Sequence, residues 1–122
     1  MTIRNFEHLA ANTWDWAVFD GCFGSAKMSM SDIDGVVERG GNFLFIETKS
    51  PGAPIPMGQS ILFSQLAKLP HTYVLMVWGK PGKAEQVQVW PDGQVQDIDT
   101  EGLRKMVAKW YKWANSHRRE RI

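Results

Sequence analysis

The sequence predicts an α/β fold, a central mixed β-sheet flanked by helices in the order α-β-β-β-α-β and followed by a C-terminal helix. Three observations carry that expectation. Two apolar-rich runs, Ile33–Val37 and Phe43–Ile46, flank Gly40-Gly41, and paired glycines accept the positive φ angles of a two-residue hairpin turn. His71 to Gly79 is almost continuously apolar, as a central strand covered on both faces must be. Met57 to Leu69 and the stretch from about Thr100 repeat apolar residues at helical spacing.

In chain order, Thr2 to Asn12 predicts a short helix, with Thr2 as N-cap and Ile3, Phe6, Leu9 and Ala10 on one side. Trp14 to Phe23 alternates in part and reads as a first strand or extended segment. Its Trp and Phe side chains are core formers, and Asp20-Gly21 is its turn. Gly24 to Met30 is a small, polar loop that holds Lys27, and the hairpin follows. Ser50 to Pro56 contains three prolines and one glycine in seven residues, which forbids regular structure there. The helix from Met57 packs through Ile61, Leu62, Phe63, Leu66 and Leu69, and Pro70 ends it. Ala84 to Trp90 alternates as a half-exposed strand, Asp92-Gly93 turns, and Gln94 to Asp97 returns briefly. In the last helix Leu103, Met106, Val107, Trp110, Tyr111 and Ala114 form the apolar stripe, while Arg104, Lys105, Lys109 and Lys112 occupy other faces.

A length of 122 residues predicts a single domain over 1–122, with a basic, mobile tail at 116–122. No apolar run approaches the roughly 20 residues that cross a membrane, so no membrane partner is expected. The one cysteine, Cys22, has no internal partner; it fits a small buried hydrophobe in a reducing, cytoplasmic setting. The net charge of +1 hides an asymmetry, because seven of the fourteen Lys and Arg residues lie from Arg104 onward with Glu120 the only acid there. That segment reads either as a phosphate-binding element or as a solvated helix face.

The hairpin carries the chemistry. With Gly40-Gly41 as the turn, Arg39 faces Asn42, Asp34 faces Glu47 and Asp32 faces Lys49. Alternation then sends Asp32, Asp34, Glu47 and Lys49 to one side, with Ile33, Val37, Leu44, Ile46 and Thr48 on the other. Carboxylates facing each other at about 4.5–5.5 Å between Cβ atoms repel, and a hard divalent cation reverses that sign. The bland reading is a solvated face with a weak Asp32–Lys49 surface pair.

Ile33-Asp34, then Glu47-Thr48-Lys49, then Gly58-Gln59 on a helix before a hydrophobic strand, resembles the PD-(D/E)XK nuclease superfamily. Within it the chain is similar to small stand-alone nucleases of the VRR-NUC and Holliday-junction-resolvase type, often found in phages. Ile33 stands where proline is frequent in that family. The resemblance implies a restriction-endonuclease-like core and a metal-dependent DNA nuclease, non-specific or structure-selective, working in the cytoplasm of a bacterial or phage-infected cell. It implies Asp34, Glu47, Lys49 and Gln59 as the catalytic set, with Gln65 the alternative to Gln59. Mg²⁺ or Mn²⁺ would be held by Asp34, Glu47 and the Thr48 backbone carbonyl, with Asp32 and Glu7 as further metal-site candidates. Lys27, Lys105, Lys109, Arg118 and Arg119 are the candidate DNA contacts. A homodimer suits cleavage of both strands, through the last helix or the strand Val87 to Trp90.

Competing motifs fail. Phe43 stands where a calcium loop beginning at Asp32 needs its glutamate, and His8, His71 and His117 have no zinc-binding spacing. The rival from another class is a catalytically idle domain of the same fold that binds nucleic acid or a protein. An RNA-directed nuclease is a third reading.

Overall fold

The structure, a computed structural model, describes residues 14–26, 28 and 30–119. The predicted N-terminal helix with Glu7, and Lys27, lie outside the described residues. The chain divides into two compact units, Met1–Asp32 and Ile33–Ile122.

In the first unit the expected strand at Trp14 to Phe23 is not formed. Trp16–Phe19 is one turn of 3₁₀ helix, capped by the Asp15 carboxylate, which accepts the Ala17 N–H at 3.0 Å. The Asp20 N–H closes the turn on the Ala17 carbonyl, and Gly21 takes φ +85°. Aspartate caps and a glycine with positive φ outweigh a partial alternation, because each supplies a local hydrogen bond or turn that a lone strand lacks. The aromatic residues expected in a core are exposed, with Trp14 at 69%. Cys22 is exposed as well, contrary to the buried position predicted for it.

The second unit is α/β, a five-stranded mixed sheet with two helices. It runs β1 (Gly35–Arg39), β2 (Asn42–Lys49), α1 (Met57–Ala67), β3 (Thr72–Lys80), β4 (Lys83–Val89), β5 (Gln96–Asp97) and α2 (Thr100–Ser116). Spatial order equals sequence order, with only β2 and β3 parallel. That single parallel pair requires the crossover that α1 provides. Gly40 and Gly41 both have positive φ, so β1 and β2 pair in the predicted register, from Arg39 opposite Asn42 to Gly35 opposite Ile46.

Each sheet face has its own core. On one, Leu44, Leu75, Val77 and Val87 receive Leu103, Met106, Val107 and Trp110 of α2. On the other, Val74, Met76 and Trp78 receive Phe63, Leu62 and Leu66 of α1. Covering both faces explains why β3 reads as an unbroken apolar run. It also divides β2 by alternation: Phe45, Glu47 and Lys49 turn toward α1, while Leu44, Ile46 and Thr48 turn toward α2.

Candidate active site

Glu47 lies beside the fully buried Met76 of β3 and is itself only 2% exposed. Lys49, one pleat further along the same side, lies opposite Trp78. The Trp78 indole N–H donates to the Ala53 carbonyl at 2.8 Å, which ties down the proline-rich loop after β2. Ile55 of that loop packs into the α1-side core, so α1 begins next to the end of β2. The consequence is that Gln59, in the first turn of α1, accepts a hydrogen bond from the Lys49 ammonium, whose Nζ is also 3.8 Å from Glu47 Oε2. Gln65, the alternative, is exposed further along the helix.

Asp34 completes the group by a route that strand counting does not give. The β1 ladder starts at Gly35, and Asp34 occupies the bend just before it. Its N–H donates to Glu47 Oε1 at 3.3 Å. Its Oδ2 accepts both the backbone N–H and the hydroxyl of Thr48, each at 2.8 Å. The Asp34 carboxylate thus takes up an exposed β2 donor at the point where the β1 ladder has ended. The Thr48 side chain was expected only to face away. It stands on the α2 side by alternation, yet the bend brings Asp34 to it. No pattern in the sequence signals a hydroxyl at that point.

The two carboxyl groups are tuned in opposite directions. Burial pushes Glu47 up to about 7, reinforced by its hydrogen bond to Asp34 and by the Asp34 charge, against weaker opposition from the Asp34 N–H and from Lys49. For Asp34, burial works upward but is outweighed by the Thr48 N–H, Glu47, the Thr48 hydroxyl and the Lys49 charge, so its carboxyl sits below the usual range. Once Glu47 loses its proton, above about pH 7, it and the ionised Asp34 face a single lysine, a donor set short of positive charge. A divalent cation suits it.

Among the described residues no group of three or more His, Cys, Asp or Glu side chains is gathered closely enough to hold a metal. Among the described residues, Asp34 and Glu47 are the two carboxyl groups that meet at this site. Asp32 is exposed, belongs to the first unit and lies beyond the ladder, so the expected Asp32–Lys49 strand pair is not formed by it. Lys105 and Lys109 are exposed on α2, the helix that covers the opposite sheet face from Glu47 and Gln59. Arg118 and Arg119 lie over the hairpin turn, where the Arg119 N–H donates to the Gly40 carbonyl at 2.7 Å. Gly40 and Glu47 are seven residues apart along β2 and its turn, roughly 20 Å at strand rise. These four basic residues are not brought to the carboxylates.

Comparison with known proteins gives no matching family model, no matching curated protein and no matching solved structure.

Proposed function

We propose that the chain is a metal-dependent nuclease of restriction-endonuclease-like fold that hydrolyses phosphodiester bonds in DNA. One observation carries the reading: a buried Glu47 carboxyl group adjoins Asp34, while Lys49 beside it is held by Gln59 from the crossover helix. In this reading Asp34, Glu47 and the Thr48 carbonyl hold Mg²⁺ or Mn²⁺. When bound, such an ion supplies Lewis acidity to the phosphate and lowers the pKa of a bound water.

The protein's own groups do the rest. Asp34 is kept ionised by two donors from Thr48, so it offers a negative oxygen at neutral pH. Lys49 has three N–H donors, and with one engaged by Gln59 the others are directed to a phosphate oxygen or to the attacking water. A lysine held in this way stabilises the charge that grows on the phosphate without first having to reorganise. Gln59 fixes the lysine head, and its own amide N–H₂ remains a donor to that water.

The second reading, a domain that binds nucleic acid without cutting it, is favoured by the convergence of only two acidic side chains among the described residues. A cleavage assay separates the two. Wild type, Asp34→Ala and Lys49→Ala are incubated with Mg²⁺ or Mn²⁺ and duplex, single-stranded, flapped and junction DNA, with RNA alongside. Wild type should cut at least one DNA substrate, and both variants should lose about 100-fold or more in rate. Equal rates for all three proteins on every substrate overturn the nuclease reading, and cutting of RNA alone moves the substrate.

A further inference from the structure

At the carboxyl ends of the parallel strands β2 and β3 lies an open cleft of about 490 Å³, bounded by Thr48, Lys49, Lys80, Lys83, Thr100 and Leu103. Ligands of open α/β sheets gather at that end of the strands. Among the described residues no acidic side chain lines the cleft, and three lysines do. Val77 and Leu103 place the cleft on the α2 side of the sheet, and Thr48, which anchors Asp34, and Lys49, at the end of β2, connect it with the candidate active site.

Lys80 and Lys83 are direct register partners across the β3–β4 turn. Like charges placed opposite one another are destabilising. Neither has a carboxylate within ion-pair distance among the described residues, although the chain contains thirteen acidic residues. The turn that holds them is itself pinned: Thr100 Oγ1 accepts the Ala84 N–H at 3.1 Å and donates to the Gly82 carbonyl at 3.4 Å. Two uncompensated lysines carried side by side on a pinned turn are suited to a polyanion with regularly spaced phosphates, which neutralises both at once.

We propose that this cleft binds the phosphodiester backbone of DNA through Lys80 and Lys83 and leads the strand to Lys49. The inference rests on the nuclease reading for what happens at Lys49, and it replaces the last helix and tail with the β3–β4 turn as the backbone contact.

Binding is measured without cleavage, in EDTA, by fluorescence anisotropy of labelled duplex and single-stranded DNA over a range of salt concentrations. Lys80→Gln/Lys83→Gln is compared with wild type and with Lys68→Gln/Lys112→Gln, which removes the same charge elsewhere. Thermal melts of all three proteins verify folding. The cleft pair should lower affinity about tenfold or more at moderate salt and reduce the magnitude of the salt slope by about 1.8 on duplex, whereas the control pair should leave both near wild type. If wild type binds DNA and the cleft pair binds with the same affinity and slope, the inference is overturned and the nuclease reading is untouched. Equal losses in the cleft and control pairs also overturn it, since net charge then explains the binding. Binding that depends on the cleft, together with no cleavage under any metal, supports the inference and removes the nuclease reading. A wild type that binds no DNA in EDTA overturns the inference, and the cleavage assay with metal still decides the nuclease reading.

Discussion

Asp34 and Glu47 are hydrogen-bonded neighbours with opposite acidities. The Asp34 N–H donates to Glu47 Oε1, yet the Asp34 carboxyl is held low while that of Glu47 is pushed up to about 7. The difference comes from where each side chain points. Asp34 lies at the end of the ladder and collects two donors from Thr48, whereas Glu47 points between the sheet and α1, where water is excluded. Two carboxyl groups separated in this way offer one negative and one readily neutralised oxygen group to whatever binds.

Stability should therefore fall with rising pH across the window set by Glu47. Its folded pKa of about 7 lies above the ordinary 4.5, so between those values the folded state holds the extra proton. The favourable contribution is complete below about pH 4.5 and is lost as pH rises through 7. Glu47→Gln should flatten that slope and be more stable than wild type at pH 8, by about 1–3 kcal/mol. Urea melts at pH 5 and pH 8 check this, and parallel curves for the two proteins would count against it.

Mn²⁺ added in the absence of DNA should stabilise wild type at pH 8. At 100 times its dissociation constant a ligand specific to the folded state contributes about 2.7 kcal/mol. Asp34→Ala and Glu47→Gln should show little or none of that gain. Differential scanning fluorimetry with a metal titration reads it, and equal stabilisation of all three proteins places the ion elsewhere.

Removing the Gln59 side chain should release Lys49 without removing its charge. Gln59→Ala is expected to reduce kcat about 10–100-fold with a smaller change in KM, as misplacement of a reacting group does. Lys49→Arg should not substitute, because a planar guanidinium cannot fill the position of a compact ammonium between Gln59 and Glu47. Single-turnover kinetics on a cleavable substrate test both statements.

Thr48→Val deletes one of the two donors to Asp34 Oδ2 and leaves the backbone N–H in place. The expected cost is about 1 kcal/mol of stability and an upward move of the Asp34 pKa. Carboxyl-detected NMR titration follows that residue directly, and an unmoved Asp34 would show the hydroxyl to be idle.

Asn42 is a structural counterpart, wholly buried at the start of β2. Its amide nitrogen faces the carbonyls of Arg39, Ala114 and His117, and its oxygen contacts His71 Nδ1 at 3.1 Å, which joins the hairpin to the end of α2. Asn42→Leu should destabilise by about 3 kcal/mol, because buried carbonyls lose their donor. Any loss of activity should track the unfolded fraction measured by circular dichroism.

The helix from Met57, the strands after Thr72 and the last helix follow from periodicity, because burial on one face or two leaves a visible mark at spacing 3.6 or 2. Trp14 to Phe23 misled because aromatic content and partial alternation outlast any decision about whether a partner strand exists, and local caps decided instead.

By itself the sequence determined the hairpin register, through two glycines that tolerate positive φ, and with it the presence of Glu47 and Lys49 on one side of β2. It also placed Gln59 one proline-rich loop away, on a helix whose start is marked. Tertiary structure alone decided where the β1 ladder stops, and so that Asp34 turns its carboxylate to Thr48 instead of standing flat against Glu47. It also decided which cations adjoin the site: Lys80 and Lys83 border the cleft at the ends of β2 and β3, whereas Lys105 and Lys109, further along α2, do not line it. Alternation along a strand is local and survives in the sequence. The end of a ladder and the side a helix takes depend on packing between segments far apart in the chain, and no single stretch records them.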